Sequence, residues 1–158
     1  MTKQQNSKAF VAALAGLSIA IASATPANAE QRSFTILAFE AKGGAMADKE
    51  PFPANPMPAG EGYVLKKPDA TGRWEVSTYM WLPSQITVNQ GDDVTLDFVG
   101  INGASHPVSI SGYNKSFVVA RGTSTKISFK ADKAGVFKID CGLHMPTMSA
   151  ELIVTPGK

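Results

Sequence analysis

The chain has 158 residues, with 15 Lys and Arg against 13 Asp and Glu, one cysteine and two histidines. A formal net charge of +2 without basic clusters gives none of the electrostatic footprint of a nucleic-acid binder. A lone cysteine excludes an internal disulfide, which leaves a free thiol, an intermolecular bridge or a metal ligand.

The first 29 residues read as a secretory signal. Lys3 and Lys8 precede an apolar run from Ala9 to Ala22, and Ala27-Asn28-Ala29 supplies a small-x-small cleavage site. The run is too short and too alanine-rich for a spanning helix. Cleavage after Ala29 is therefore expected, giving a soluble, periplasmic or otherwise exported chain that starts at Glu30 and keeps no stable membrane span. Without the two leader lysines that chain carries 13 basic and 13 acidic residues, and its length fits one domain with its own core. A free thiol is a liability in an oxidising compartment, so metal protection is the economical account of Cys141.

Ser33 to Ala41, with Phe34, Ile36, Leu37 and Phe39, reads as an opening strand. From Lys42 to Gly62 glycine and proline dominate, which predicts an irregular arm whose Met46 and Met57 are packing residues rather than ligands. Tyr63 to Leu65 and Trp74 to Trp81 are strand candidates around a turn at Lys66 to Gly72, and Lys66-Lys67 reads as a solvated pair. Ile86 to Val88 and Val94 to Phe98 flank Asn89-Gln90-Gly91-Asp92-Asp93, a sequence suited to a tight connection. Pro107 to Ser111, Ser116 to Ala120, Thr125 to Lys130, Gly135 to Asp140 and Ser149 to Val154 complete the set. Outside the leader no window shows a 3.6-residue apolar period, and there is no phosphate-cradling glycine loop. Many short strands with turn signals between them predict an all-β sandwich. A Ser/His/Asp triad can be written from the composition, but no member has a motif context.

The chemistry gathers at Val136 to Met148, where Cys141 and His144 stand three residues apart at the end of an alternating apolar run. In an extended strand Phe137, Ile139 and Cys141 share one face. Met148 shares parity with Ala150, Leu152 and Val154, and His106 shares it with Val108 and Ile110. Three candidate ligands thus fall on the apolar faces of three strands, with His144 in a loop at the rim. A thiolate, two imidazoles and a thioether are the ligand set that suits copper, whereas methionine is a poor zinc ligand.

These residues resemble the cupredoxins, the small blue copper proteins that include plastocyanin, pseudoazurin and amicyanin. The resemblance rests on Gly91-Asp92-Asp93-Val94, on Ser105-His106-Pro107-Val108, and on Cys141-Gly142-Leu143-His144 with Met148, and it covers about Tyr79 to Pro156. It implies a Greek-key sandwich, one copper ion per chain alternating between Cu(I) and Cu(II), metal ligands at His106, Cys141, His144 and Met148, and one-electron transfer to redox proteins docking near His144. The expected division is a signal peptide over 1–29, an extension over 30–78 with the opening strand and arm, and a copper-binding core over 79–158. Many cupredoxins carry an asparagine directly after the first histidine, where this chain has Pro107 without an N–H. Ala131 to Gly135 and the Cys-Gly-x-His run also resemble nitrosocyanin, a red copper protein, and distantly the binuclear copper domains of oxidase subunit II and nitrous oxide reductase. A binuclear site needs two bridging thiolates, and the chain has one. The leading expectation is a monomeric electron carrier rather than an enzyme, with a nitrosocyanin-like copper enzyme and a copper carrier or buffer as the alternatives.

Overall fold

A computed structural model describes residues 29–60 and 62–157, so the leader read over 1–29 lies outside the described residues but for Ala29. The described residues form ten strands in two sheets. One sheet, in the order β2 (Tyr63–Lys66), β3 (Arg73–Leu82), β1 (Gln31–Met46), β5 (Asp93–Gly100) and β8 (Ser124–Lys130), packs on a second. The second runs β4 (Gln85–Asn89), β10 (Ser149–Thr155), β9 (Gly135–Cys141), β6 (Ser105–Ile110) and β7 (Lys115–Ala120). The chain changes sheet between β3 and β4, β4 and β5, β5 and β6, β7 and β8, and β8 and β9, which is the all-β sandwich that the alternation predicts, with the Greek-key connections that the resemblance implies.

Alternation is what closes the core. Val94, Leu96 and Phe98 from one sheet meet His106, Val108, Ile110, Ile139, Cys141 and Leu152 from the other, all of them buried. Ile36 and Ala38 of β1 lie in the same cluster as Trp81, so residues on both sides of position 78 share one core. β1 is also the central strand of its sheet, antiparallel to β3 and parallel to β5.

One local expectation is corrected. The opening strand does not stop at Ala41 but runs through Gly43-Gly44 to Met46, paired with β3 as far as Met46 opposite Arg73. Glycine permits this, because a Cβ on Gly44 would collide with the carbonyl oxygen of Trp74. The irregular arm therefore begins at Ala47. The tight connection expected at Asn89 to Asp93 is present, and it crosses between the sheets: β4 pairs in parallel with β10, and β5 joins the opposite sheet. Asp92 makes this crossing a fixed corner. Its buried carboxylate accepts from the N–H of Asn89 at 2.9 Å and of Glu30 at 3.1 Å, and Gly91 takes the positive φ of 100° that the turn requires.

The sheet containing β1 is longer than its partner. Beyond the core rung at Trp81 and Ala38, β1 and β3 continue as a ledge whose inward positions are Glu40, Lys42, Tyr79 and Ser77. That ledge lies over the end of the sandwich that carries Cys141 and His106. Among the described residues no helix is long and apolar enough to cross a membrane.

Candidate metal centre

Strand alternation places Cys141 and His106, and a turn places His144. Cys141 is the last residue of β9 and fully buried, as are Phe137's inward successor Ile139 and the β6 residues His106, Val108 and Ile110. His144 reaches the same spot from the turn after β9 and is half-buried. The His106 and His144 Nδ1 atoms are 3.3 Å apart, and Cys141 Sγ lies 3.3 Å from His144 Nδ1 and 3.9 Å from His106 Nδ1. Donors that each stand about 2.0–2.3 Å from one ion must lie within roughly twice that distance of each other. All three donor atoms meet that condition, so the residues fit a single metal.

Hydrogen bonding leaves the right atoms free. His106 donates from Nε2 to the backbone carbonyl of Asn102 at 2.8 Å, which leaves Nδ1 as the ring atom facing Cys141 and His144. Burial, together with the neighbouring His106, holds the His144 pKa below the usual histidine value, against the pull of Glu40, and so favours the neutral imidazole that binds metals. Burial pushes the Cys141 thiol up, opposed by the backbone N–H groups of Leu143 and His144. A metal at this position must therefore displace a proton from sulfur.

The ligand loop is closed by its own backbone. His144 N–H donates to Cys141 O at 3.3 Å, Met148 N–H to His144 O at 3.0 Å, and Cys141 N–H to Met148 O at 3.0 Å. Met148, just before β10, is fully buried, whereas Met145 is 43 % exposed and Leu143 64 % exposed. Pro107 has no N–H, yet its carbonyl accepts from Gly142 N–H at 2.9 Å and ties the β6 ligand strand to the loop. The arm joins in as well. Thr147 Oγ1 donates to Gly62 O at 3.0 Å, and Gly62, at φ 75°, is so close that a Cβ would lie 2.5 Å from that hydroxyl.

Three residues that the sequence reading passed over complete the surroundings. The Tyr79 ring stacks on His144 with centroids 3.9 Å apart and planes at 29°, and meets His106 edge-on at 5.5 Å. Asn102 holds His106 through its carbonyl, and Glu40 pairs directly across the sheet with Tyr79. One signal was available for Tyr79, its parity with Trp81 on a predicted strand. Nothing local marks Glu40 or Asn102.

A family model described as a cupredoxin-like domain matches residues 65–154. No curated protein sequence matches the chain. Among solved structures, the copper-containing nitrite reductase NirK of Thermus scotoductus SA-01 is 19% identical over 82% of this chain and 28% of its own, with a TM-score of 0.53. The multicopper oxidase mgLAC is 19% identical over 82% of this chain and 40% of its own, with a TM-score of 0.52. The copper nitrite reductase of Nitrosomonas europaea is 18% identical over 80% and 42%, with a TM-score of 0.50. The chain spans less than half the length of each of these three, and the likeness is one of fold. With a matched segment covering more than half of the sequence, a two-sheet Greek-key sandwich and a His, Cys, His cluster at one end, the chain belongs to the cupredoxin-like domain family.

Proposed function

We propose that the protein is an exported mononuclear copper protein that carries single electrons, with His106, Cys141, His144 and Met148 as the ligands and one ion per chain. The observation that carries this reading is the convergence of a buried thiol and two imidazole Nδ1 atoms at 3.3 to 3.9 Å, with a buried methionine closing the same loop. A soft sulfur with two imidazoles and a weak thioether is the donor set of electron-transfer copper sites. Copper bound there would supply a Cu(I)/Cu(II) couple.

The chain's own contribution is rigidity. Cys141 and His106 sit on neighbouring strands of one sheet, β9 and β6, paired through Val108 opposite Cys141, and the loop bonds of Met148 and Gly142 hold the remaining donors against them. Donors fixed in this way do not rearrange when the charge at the site changes by one. Leu143 and Met145 form a small exposed apolar rim beside His144, which suits brief docking of a redox protein. Export follows from the leader read over 1–29.

A spectroelectrochemical titration of the copper-loaded protein tests the assignment. Reversible one-electron behaviour with no loss of copper over repeated cycles is the expected result. Rapid surrender of copper to a chelator would make the protein a copper carrier or buffer, and turnover of small nitrogen or oxygen species would make it a copper enzyme.

A further inference from the structure

The ledge formed by β1 and β3 does more than close the end of the sandwich. Glu40 continues the inward parity of Ile36 and Ala38, and its side chain is only 13 % exposed. The last rung of the β1–β5 ladder is Ala38 opposite Gly100, after which Ile101 N–H still donates to Ala38 O at 3.0 Å. At the next position the backbone of the loop has left the sheet, and the Asn102 side chain takes its place. Asn102 Oδ1 accepts from Glu40 N–H at 2.6 Å, and Asn102 Nδ2 donates to Glu40 O at 3.3 Å. This two-way amide pair fixes the residue whose own carbonyl accepts from His106 Nε2.

The other face of the same residue reaches the second imidazole. Glu40 and Tyr79 are direct cross-strand partners, close enough for their side chains to meet. The carboxylate is ion-paired with Lys42 at 3.0 Å, on the strand position directly opposite Tyr79. The Tyr79 ring in turn lies flat on His144. Gly103 shows how tightly the parts fit: a Cβ there would stand 2.8 Å from His106 Cε1 and 2.9 Å from Tyr79 Cε1.

We infer that Asn102 and Tyr79, braced respectively by the backbone of Glu40 and by its place across the sheet, position His106 and His144, so that a strand lying before the family-matched segment is part of the metal centre. Glu40, Asn102 and Tyr79 are positioning residues; none is offered as a ligand. The inference rests on the copper reading above for its consequence, but its geometric content holds in the metal-free protein.

The test uses wild type, Tyr79→Leu, Tyr79→Phe and Asn102→Ala, each read with and without copper. In the metal-free protein the His144 ring protons should resonate upfield because they lie over the Tyr79 ring, and Tyr79→Leu should abolish that shift while Tyr79→Phe keeps it. Asn102→Ala should move the His106 ring resonances and leave those of His144 in place. Copper affinity should fall about 10-fold or more in Tyr79→Leu and Asn102→Ala, as for other partners that orient metal-binding imidazoles. The thiolate-to-copper band should shift in both. A wild type that shows the copper band, with variants whose ring resonances, affinity and band all match it, overturns the anchoring role and leaves the copper assignment standing. A wild type with the ring shifts but no copper band overturns the copper assignment instead.

Discussion

At the scale of the residue, Met145 and Met148 differ in what the fold does with them. Met148 is fully buried and its backbone joins Cys141 to His144, while Met145 faces solvent beside the exposed Leu143. Met148→Leu is expected to keep the thiolate-to-copper colour and raise the reduction potential, because a weak axial thioether tunes the couple more than it retains the metal. Met145→Leu should leave both unchanged and alter only the rate of electron exchange with partners. Protein-film voltammetry of the two variants measures this, and a potential that moves with Met145 and not with Met148 contradicts it. The inward placement of His106, Cys141 and Met148 was legible in the sequence because strand alternation has a period of two, and one inward residue fixes the parity of its whole strand, whereas His144 was legible only from its spacing to Cys141. Glu40, Tyr79 and Asn102 were not. Their roles depend on which strands are neighbours and in which register, a pairing between positions about forty or more apart that no local pattern encodes.

At the scale of the element, the strands were read in nearly the right places, and the error at Gly43-Gly44 falls where a long-range contact overrides a local signal. Gly43-Gly44 has the composition of a loop, but the close approach of β3 makes it strand. Asn89 to Asp93 is the tight connection its composition suggests, and there Asp92 binds the N–H groups of Asn89 and Glu30 as β5 crosses to the other sheet beside β1. Those two donors hold the Asp92 carboxyl below the usual aspartate range against the opposing effect of burial. Because the folded pKa is depressed, the stabilisation is present above the unfolded value of about 4 and is lost as pH falls through the folded one. Asp92→Ala should therefore cost about 3 kcal/mol at neutral pH, from two hydrogen bonds to a charged acceptor. Urea unfolding at pH 7 and at pH 3 checks this: the gap between variant and wild type should narrow in acid. An equal gap at both values would mean that Asp92 acts through packing and not through charge.

At the scale of the whole molecule, the proposed cleavage after Ala29 would act on the corner at Asp92. The Glu30 nitrogen stands 3.1 Å from Asp92 Oδ1. Cleavage after Ala29 would turn that amide into an ammonium group, and a charge-assisted bond is roughly twice as strong as its neutral counterpart. N-terminal sequencing of the exported protein should begin at Glu30, and a chain starting there should unfold at higher urea than one that retains the preceding residues. Equal midpoints would detach the corner from processing.

The metal end makes the same point about assembly. Strands from both sheets, the arm through Gly62 and the ledge through Tyr79 all meet at one cluster of donors. The central claim is that this cluster takes one copper ion through a thiolate, and titration of the metal-free protein with Cu(II), followed by visible absorption, tests it most directly. An intense thiolate-to-copper band that saturates at one ion per chain in wild type and is absent from a folded Cys141→Ser variant is the result expected. A band that survives in Cys141→Ser, or a wild type that binds copper without one, would contradict it.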